Sequence, residues 1–156
     1  MRKTLYVLLF SFLALGMSSC KEQEATEKFE IENLVGTWEL SSTKTYDREA
    51  KFIEQIFPSD DYGCGLMTWT YTTDKIDILQ FVGKDENGNC LEEIVGLNYT
   101  LQNNNINTLD ELGIEDKMLI TNLTNNELVV MVSLPNPVKE DANSIKYTEI
   151  SYKRIK

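Results

Sequence analysis

Three cysteines and a complete absence of histidine set the chemistry open to this 156-residue chain. Without imidazole there is no Ser-His-Asp or Cys-His catalysis, and the commonest transition-metal ligand is missing. Any catalysis would run on carboxylates, tyrosines or lysines. Paired carboxylates occur at Asp110 with Glu111 and at Glu115 with Asp116. They fall in an acidic stretch containing Gly113 that reads as a loop, without the burial that raises a carboxylate pKa. The turn holding Asp85, Asn87, Asn89, Glu92 and Glu93 offers oxygen ligands of the kind calcium takes. Gly88 comes too early for the D-x-[DN]-x-[DN]-G pattern, and Asn87-Gly88 is explained as hairpin chemistry. No enzymatic activity, metal or cofactor is expected.

Cys20 stands apart from the other two cysteines. Met1-Arg2-Lys3 precedes an apolar run from Leu5 to Met17, then Ser18-Ser19, then the cysteine, then the hydrophilic Lys21-Glu22-Gln23-Glu24-Ala25-Thr26-Glu27-Lys28. A basic start, an apolar core of roughly 7–15 residues and small residues before the cut describe a secretory signal. The run is too short for a spanning helix, which needs about 20 apolar residues. Ending on a cysteine, it resembles a bacterial lipoprotein signal, with Met17-Ser18-Ser19-Cys20 as the lipobox and Met17 in place of the usual Leu. That resemblance implies residues 1–19 as signal peptide, lipidation of Cys20, and a lipidated tether over 20–33. The acidic residues after Lys21 also resemble the signal by which some Gram-negative bacteria send lipoproteins to the cell surface. The expected location is the cell envelope, as an outer-membrane lipoprotein on the periplasmic face or the cell surface.

The bulk numbers fit this reading. Losing Arg2 and Lys3 with the signal takes the formal charge from −10 to about −12. Such a surface repels nucleic-acid phosphates and anionic headgroups, so nucleic acid is excluded as a partner and attachment to the membrane falls to acyl chains. The remaining chain is the size of one well-packed domain. Cys64 and Cys90, an even pair in an oxidising compartment, point to a disulfide, against the alternative of two separate buried thiols. The bridge would close a loop of about 25 residues, for which chain entropy gives on the order of 3–4 kcal/mol.

The elements that must position these residues read as short strands. Leu34 to Leu40 begins the series, with Trp38, Leu40 and Ser42 on one face. In Arg48 to Phe57 the residues Phe52, Ile53, Ile56 and Phe57 have helical spacing, and Pro58 ends the run, which predicts one short helix or lid after the first strand. Met67, Trp69 and Tyr71 then alternate with threonines, and Lys75 to Gly83 alternates likewise. Strands follow over Cys90–Val95, Gly96–Gln102, Ile106–Leu109, Lys117–Leu123 and Glu127–Leu134, with Val129 to Val132 apolar on both faces as in a strand well inside a sheet. In the last strand, Ser144 to Ile155, the apolar phase shifts from Ile145 and Tyr147 to Ile150 and Tyr152, which predicts a bulge near Glu149. Eight or nine strands joined by hairpin-length turns favour an all-β fold, an antiparallel up-and-down barrel of about eight strands.

Gly36-Thr37-Trp38 in the first strand and Tyr152-Lys153-Arg154 in the last, taken with the meander, resemble the lipocalin-like (calycin) domains of bacterial lipoproteins, over residues 34–156. The resemblance implies that Trp38 packs across the closed end beneath a basic side chain of the last strand. Alternation makes Arg154 the candidate, with Lys153 as the alternative. Several such domains also carry two cysteines in the early barrel, as Cys64 and Cys90 would here. No second or third lipocalin motif is present, and the helix that secreted lipocalins place before the last strand is missing, which leaves the small bacterial domains as the nearest pattern.

What the resemblance implies for function is a membrane-anchored binding lipoprotein holding a small hydrophobic or glycan-like ligand in the barrel cup. Trp69, Tyr71, Phe81 and Tyr99 are the candidate lining residues, against the simpler reading that they fill the core. The alternative is an interaction module, an inhibitor or accessory subunit that docks an envelope protein through its rim loops. An exposed aromatic patch near Phe52, Phe57 and Tyr62 would favour it.

Overall fold

The computed structural model describes residues 28–109, 113, 115–134 and 144–156. The signal, Cys20, the tether as far as residue 27, the Asp110–Glu111 pair and the loop from Pro135 to Asn143 lie outside the described residues. One four-residue helix, α1 (Ile31–Leu34), precedes nine strands: β1 (Gly36–Tyr46), β2 (Phe52–Ile56), β3 (Thr68–Tyr71), β4 (Lys75–Lys84), β5 (Cys90–Gln102), β6 (Asn105–Leu109), β7 (Glu115–Leu123), β8 (Glu127–Ser133) and β9 (Tyr147–Arg154). All pairings are antiparallel, and β9 pairs back onto β1. Eight strands, β1 and β3 to β9, therefore close into a barrel, and closure removes the sheet edges that would otherwise template aggregation.

Register fixes which side chains face inward. Trp38 lies opposite Trp69, Trp69 opposite Ile78, and Tyr71 opposite Ile76. Tyr99 lies opposite Thr108, and Leu128 opposite Tyr152. The fully buried side chains Leu34, Trp38, Tyr71, Ile76, Ile106, Leu128 and Val130, with Tyr152, belong to this core. β1 runs from the closed end, at Gly36, toward the mouth, at Tyr46. The chain enters at the closed end, where α1 plugs the barrel.

Three expectations are corrected here. The helix stands before the first strand, not after it. Phe52–Ile56 is strand β2, paired with Thr43–Tyr46 and exposed at every position. A helix there would be shorter than the dozen or so residues that make an isolated helix even marginal, and it would need a surface on which to bury its stripe. Beyond the reach of β3, the edge of β1 offers a row of backbone partners instead, and Ile53 is absorbed as a bulge in that ladder. The irregularity expected near Glu149 is absent: β9 pairs evenly with β8, the shift lies in β1 between Leu40 and Ser42, and Ile145 precedes the strand. Glu115 and Asp116 open β7 and are not in a loop.

The folded body also begins before Leu34. Phe29 and Ile31 pack against the core, and the Phe29 N–H donates to Asn104 Oδ1 at 3.0 Å. Once α1 plugs the barrel, its apolar residues have a surface to bury that the tether pattern alone does not reveal.

Candidate functional site

The closed end is built from α1 and the two strands that seal the barrel. Trp38 is fully buried, and its Nε1 donates to the Leu34 carbonyl at 2.8 Å. The Arg154 guanidinium lies over the indole, 4.1 Å from the ring centroid, and its two terminal nitrogens donate to the carbonyls of Val35, at 2.7 Å, and Asn33. These three carbonyls sit at the end of a helix too short to satisfy them internally, and a cation there also meets the negative end of the helix dipole. Lys153 alternates away from this cluster and is exposed. Gly36 has φ +143°, and a Cβ there would run into the Arg154 guanidinium and stand 2.7 Å from the Lys156 carbonyl oxygen. Only a residue without a side chain fits this approach.

Among the described residues, the other end is open. A cavity of about 1110 Å³ enters between the start of β7, the end of β8 and the start of β9. Its inward wall is Trp69, Leu97, Thr108, Met118, Val132 and Ile150, and Glu115, Asp116, Lys117, Ser133, Lys146 and Tyr147 stand about its rim. The wall is uncharged and largely apolar. Its volume lies just above the range usual for small-molecule pockets, about 300–1,000 Å³.

Of the four aromatic residues expected to line a cup, Trp69 does so. Tyr71 and Tyr99 belong to the packed layer beneath. Tyr71 stands 5.6 Å from Tyr99, edge to face, and 6.3 Å from Trp69, whose ring is 5.3 Å from Tyr152. Burial pushes the Tyr71 and Tyr152 phenols well above their usual range, and pushes Tyr99 up to about 12. The Tyr99 hydroxyl donates to the Thr72 carbonyl at 2.7 Å. The Tyr71 hydroxyl and Trp69 Nε1 are buried without a partner.

Phe81 is not brought to the cup. It lies opposite Glu92, on the face of β4 away from Ile76 and Ile78, and lines a separate cavity of about 250 Å³ beneath residues 58–67, with Leu40 and Met67. One more residue between it and Ile78 than alternation allows puts it on the outside. Sequence reading missed Leu97, Met118, Val132 and Ile150 as cup residues. Their inward alternation is the available signal, but it does not separate cup from core.

Cys64 and Cys90 are joined by a disulfide with Cα atoms 5.9 Å apart, which ties the 58–67 segment to the start of β5. The same segment is turned by Asp60, whose carboxylate accepts from the N–H groups of Cys64, at 2.7 Å, and Gly65, at 2.9 Å. These hydrogen bonds hold the Asp60 carboxyl below its ordinary range. The acidic turn considered for calcium is a hairpin: Asp85 accepts from Asn87 N and Asn89 N at 2.8 Å each and from Asn89 Nδ2 at 2.8 Å, and Gly88 has φ +82°.

The mouth also carries an exposed apolar fringe. Phe52, Phe57 and Tyr62 are 52%, 68% and 46% exposed, joined by Ile53 and Ile56, and β2 has a neighbour on one side only.

No curated protein matches the chain. Among solved structures, a de novo designed fluorescence-activating β-barrel aligns over 80% of this chain and 96% of that chain, with 12% identity and a TM-score of 0.34, too low to carry an argument. The profile of the lipocalin-like domain matches residues 34–130, from the last residue of α1, two before Gly36, to the centre of β8. The chain belongs to the family of lipocalin-like domains.

Proposed function

We propose that this protein is a lipid-anchored lipocalin-like carrier, held in the bacterial cell envelope through acyl chains on Cys20, that takes a small apolar molecule into its cup. One observation carries the reading: the cavity of about 1110 Å³ with Trp69, Leu97, Met118, Val132 and Ile150 in its wall. Burying apolar ligand surface against such a wall contributes roughly 25 cal/mol per Å². The scarcity of polar groups on the wall favours an apolar ligand over a glycan, which would need many placed donors and acceptors. The chain enters the barrel at its closed end, opposite the mouth.

Native mass spectrometry of the soluble domain, purified from its own host without detergent, tests the cup. An apolar small molecule retained at one per chain is the expected result. Repeated recovery of empty protein that also fails to bind an apolar fluorescent dye would refute it. Anchoring is tested separately, because Cys20→Ser should move the protein out of the detergent phase.

A second reading rests on β2. Its free edge and its exposed Phe52, Ile53 and Ile56 suit the addition of an extended segment from an envelope protein as a further strand. A proline at Gln55 should abolish such docking and leave the cup intact.

A further inference from the structure

The cup reading leaves one feature of the interior unused. Trp69 and Tyr71 occupy successive inward positions of β3, and each ends in a hydrogen-bond donor, Nε1–H and O–H, that is buried and has no partner among the described residues. Tyr71 is 1% exposed and Trp69 stands between it and the cavity, with the two rings 6.3 Å apart. Leaving a buried donor unmade costs about 1–3 kcal/mol, and native interiors pair nearly all such groups. Two such donors on adjacent positions of one strand, at the base of a cavity, form a concentrated deficit. Thr45 Oγ1, also unpartnered, lies toward the mouth and is not part of this pair.

We propose that the base of the cup is an acceptor subsite, in which the Trp69 and Tyr71 donors hold an uncharged oxygen (carbonyl, ester or ether) at the leading end of an otherwise apolar ligand. The inference rests on the cup reading and specifies the ligand's chemistry. The two rings stand 6.3 Å apart on one face of β3, so an oxygen entering past Trp69 would approach both side chains. The acceptor must be neutral. The inward wall holds no cation, and Arg154 is engaged at the closed end by Val35, Asn33 and the Trp38 ring. The mouth carries Glu115 and Asp116 together with Lys117 and Lys146, so its cations stand at the rim and not at the base. A carboxylate brought to the base would be a buried charge without a partner, which is strongly unfavourable. The remaining wall, with Leu97, Met118 and Ile150, suits the apolar body.

The test uses the full chain carrying Cys20→Ser, purified without detergent, and three probes of equal chain length: dodecane, the corresponding methyl ketone, and dodecanoate. Each displaces an apolar fluorescent dye from the cup, and tryptophan emission reports contact with Trp69. The ketone should bind about tenfold more tightly than the alkane, as two hydrogen bonds of ordinary net strength would give, and more tightly than dodecanoate. Tyr71→Phe removes only an unpartnered hydroxyl, so the variant should fold at least as stably as the parent. It should lose about threefold in ketone affinity and keep its affinity for the alkane. Trp69→Phe also shrinks the apolar wall, so it should lower ketone affinity by a larger factor than alkane affinity, and the ratio of the two keeps the test independent of either variant's folding. Equal affinity for ketone and alkane, or dodecanoate binding tightest, would overturn the acceptor subsite while leaving the cup standing. Failure of the dye and of all three probes would overturn both.

Discussion

Arg154 and Trp38 are direct cross-strand partners in the β9–β1 ladder, and this pairing places the guanidinium over the indole at the seam where the barrel closes. The same side chain reaches past the ring to the carbonyls of Asn33 and Val35, so the plug, the first strand and the last strand meet at one residue. A lysine could supply the charge but not two donors in a fixed planar fork.

Trp38→Ala should cost about 3–5 kcal/mol, the usual range for truncating a buried tryptophan, and would remove the cation contact and the bond to Leu34 as well. Trp69→Ala should cost less, because one side of that ring meets open space. Urea denaturation of the two variants checks the order. Equal losses would mean that Trp69 is packed as tightly as Trp38.

Gly36→Ala should destabilise by more than the ~1 kcal/mol typical of point substitutions. The new methyl would meet Arg154 and the Lys156 carbonyl on a backbone already at φ +143°. Combining it with Arg154→Ala should recover part of the loss by freeing one of the two obstructions. A double-mutant cycle read by thermal denaturation measures that coupling.

Reducing the Cys64–Cys90 bridge, or replacing both cysteines with serine, should lower stability by about 3 kcal/mol for a separation of 26 residues. Non-reducing peptide mapping identifies the bridge directly, and denaturation with and without reductant gives the magnitude. Dye binding in the cup should survive, since neither cysteine lines it.

Alkaline pH should unfold the barrel through its tyrosines. Burial raises the folded pKa values of Tyr71, Tyr99 and Tyr152 above the unfolded value near 10. Their neutral forms therefore favour the fold below about pH 10, and that contribution is lost as pH climbs toward the raised values, about 12 for Tyr99. Ultraviolet phenolate titration should show these three tyrosines ionising only together with the loss of near-ultraviolet circular dichroism. Independent ionisation near pH 10 would contradict the burial.

At the acid end, Asp60 and Asp85 should titrate below ordinary aspartates: the Asp60 carboxylate accepts backbone N–H bonds from Cys64 and Gly65, and Asp85 accepts from the Asn89 side-chain amide and then from the Asn89 and Asn87 N–H groups. A depressed folded pKa contributes stability that is present above the unfolded value near 3.9 and is lost as pH falls through the folded one. Carboxyl chemical shifts followed by NMR between pH 5 and pH 2 resolve the two groups, and Asp60→Asn and Asp85→Asn should each flatten the acid limb of the stability curve.

The class of fold was legible in the residues. Period-two alternation in Met67–Tyr71 and Lys75–Gly83, Asn87-Gly88 at a hairpin, and Gly36 two residues before Trp38 are local patterns, and local backbone preference together with one-sided burial is enough to set them. The even pair Cys64 and Cys90 was legible for the same kind of reason, from types and compartment. What only the tertiary structure decided are relations between distant segments. Phe52 to Phe57 has helical spacing, yet the open edge of β1 recruits it as a strand, because a row of backbone partners outweighs a weak period with no surface to bury against. Phe81, by contrast, was legible: three residues past Ile78, it falls on the opposite face of β4 by alternation alone. Tyr71 and Trp69 share a face and look alike in sequence, while barrel closure buries one and sets the other at the cavity, since depth along a barrel depends on strand stagger across all eight strands and not on the alternation within any one of them.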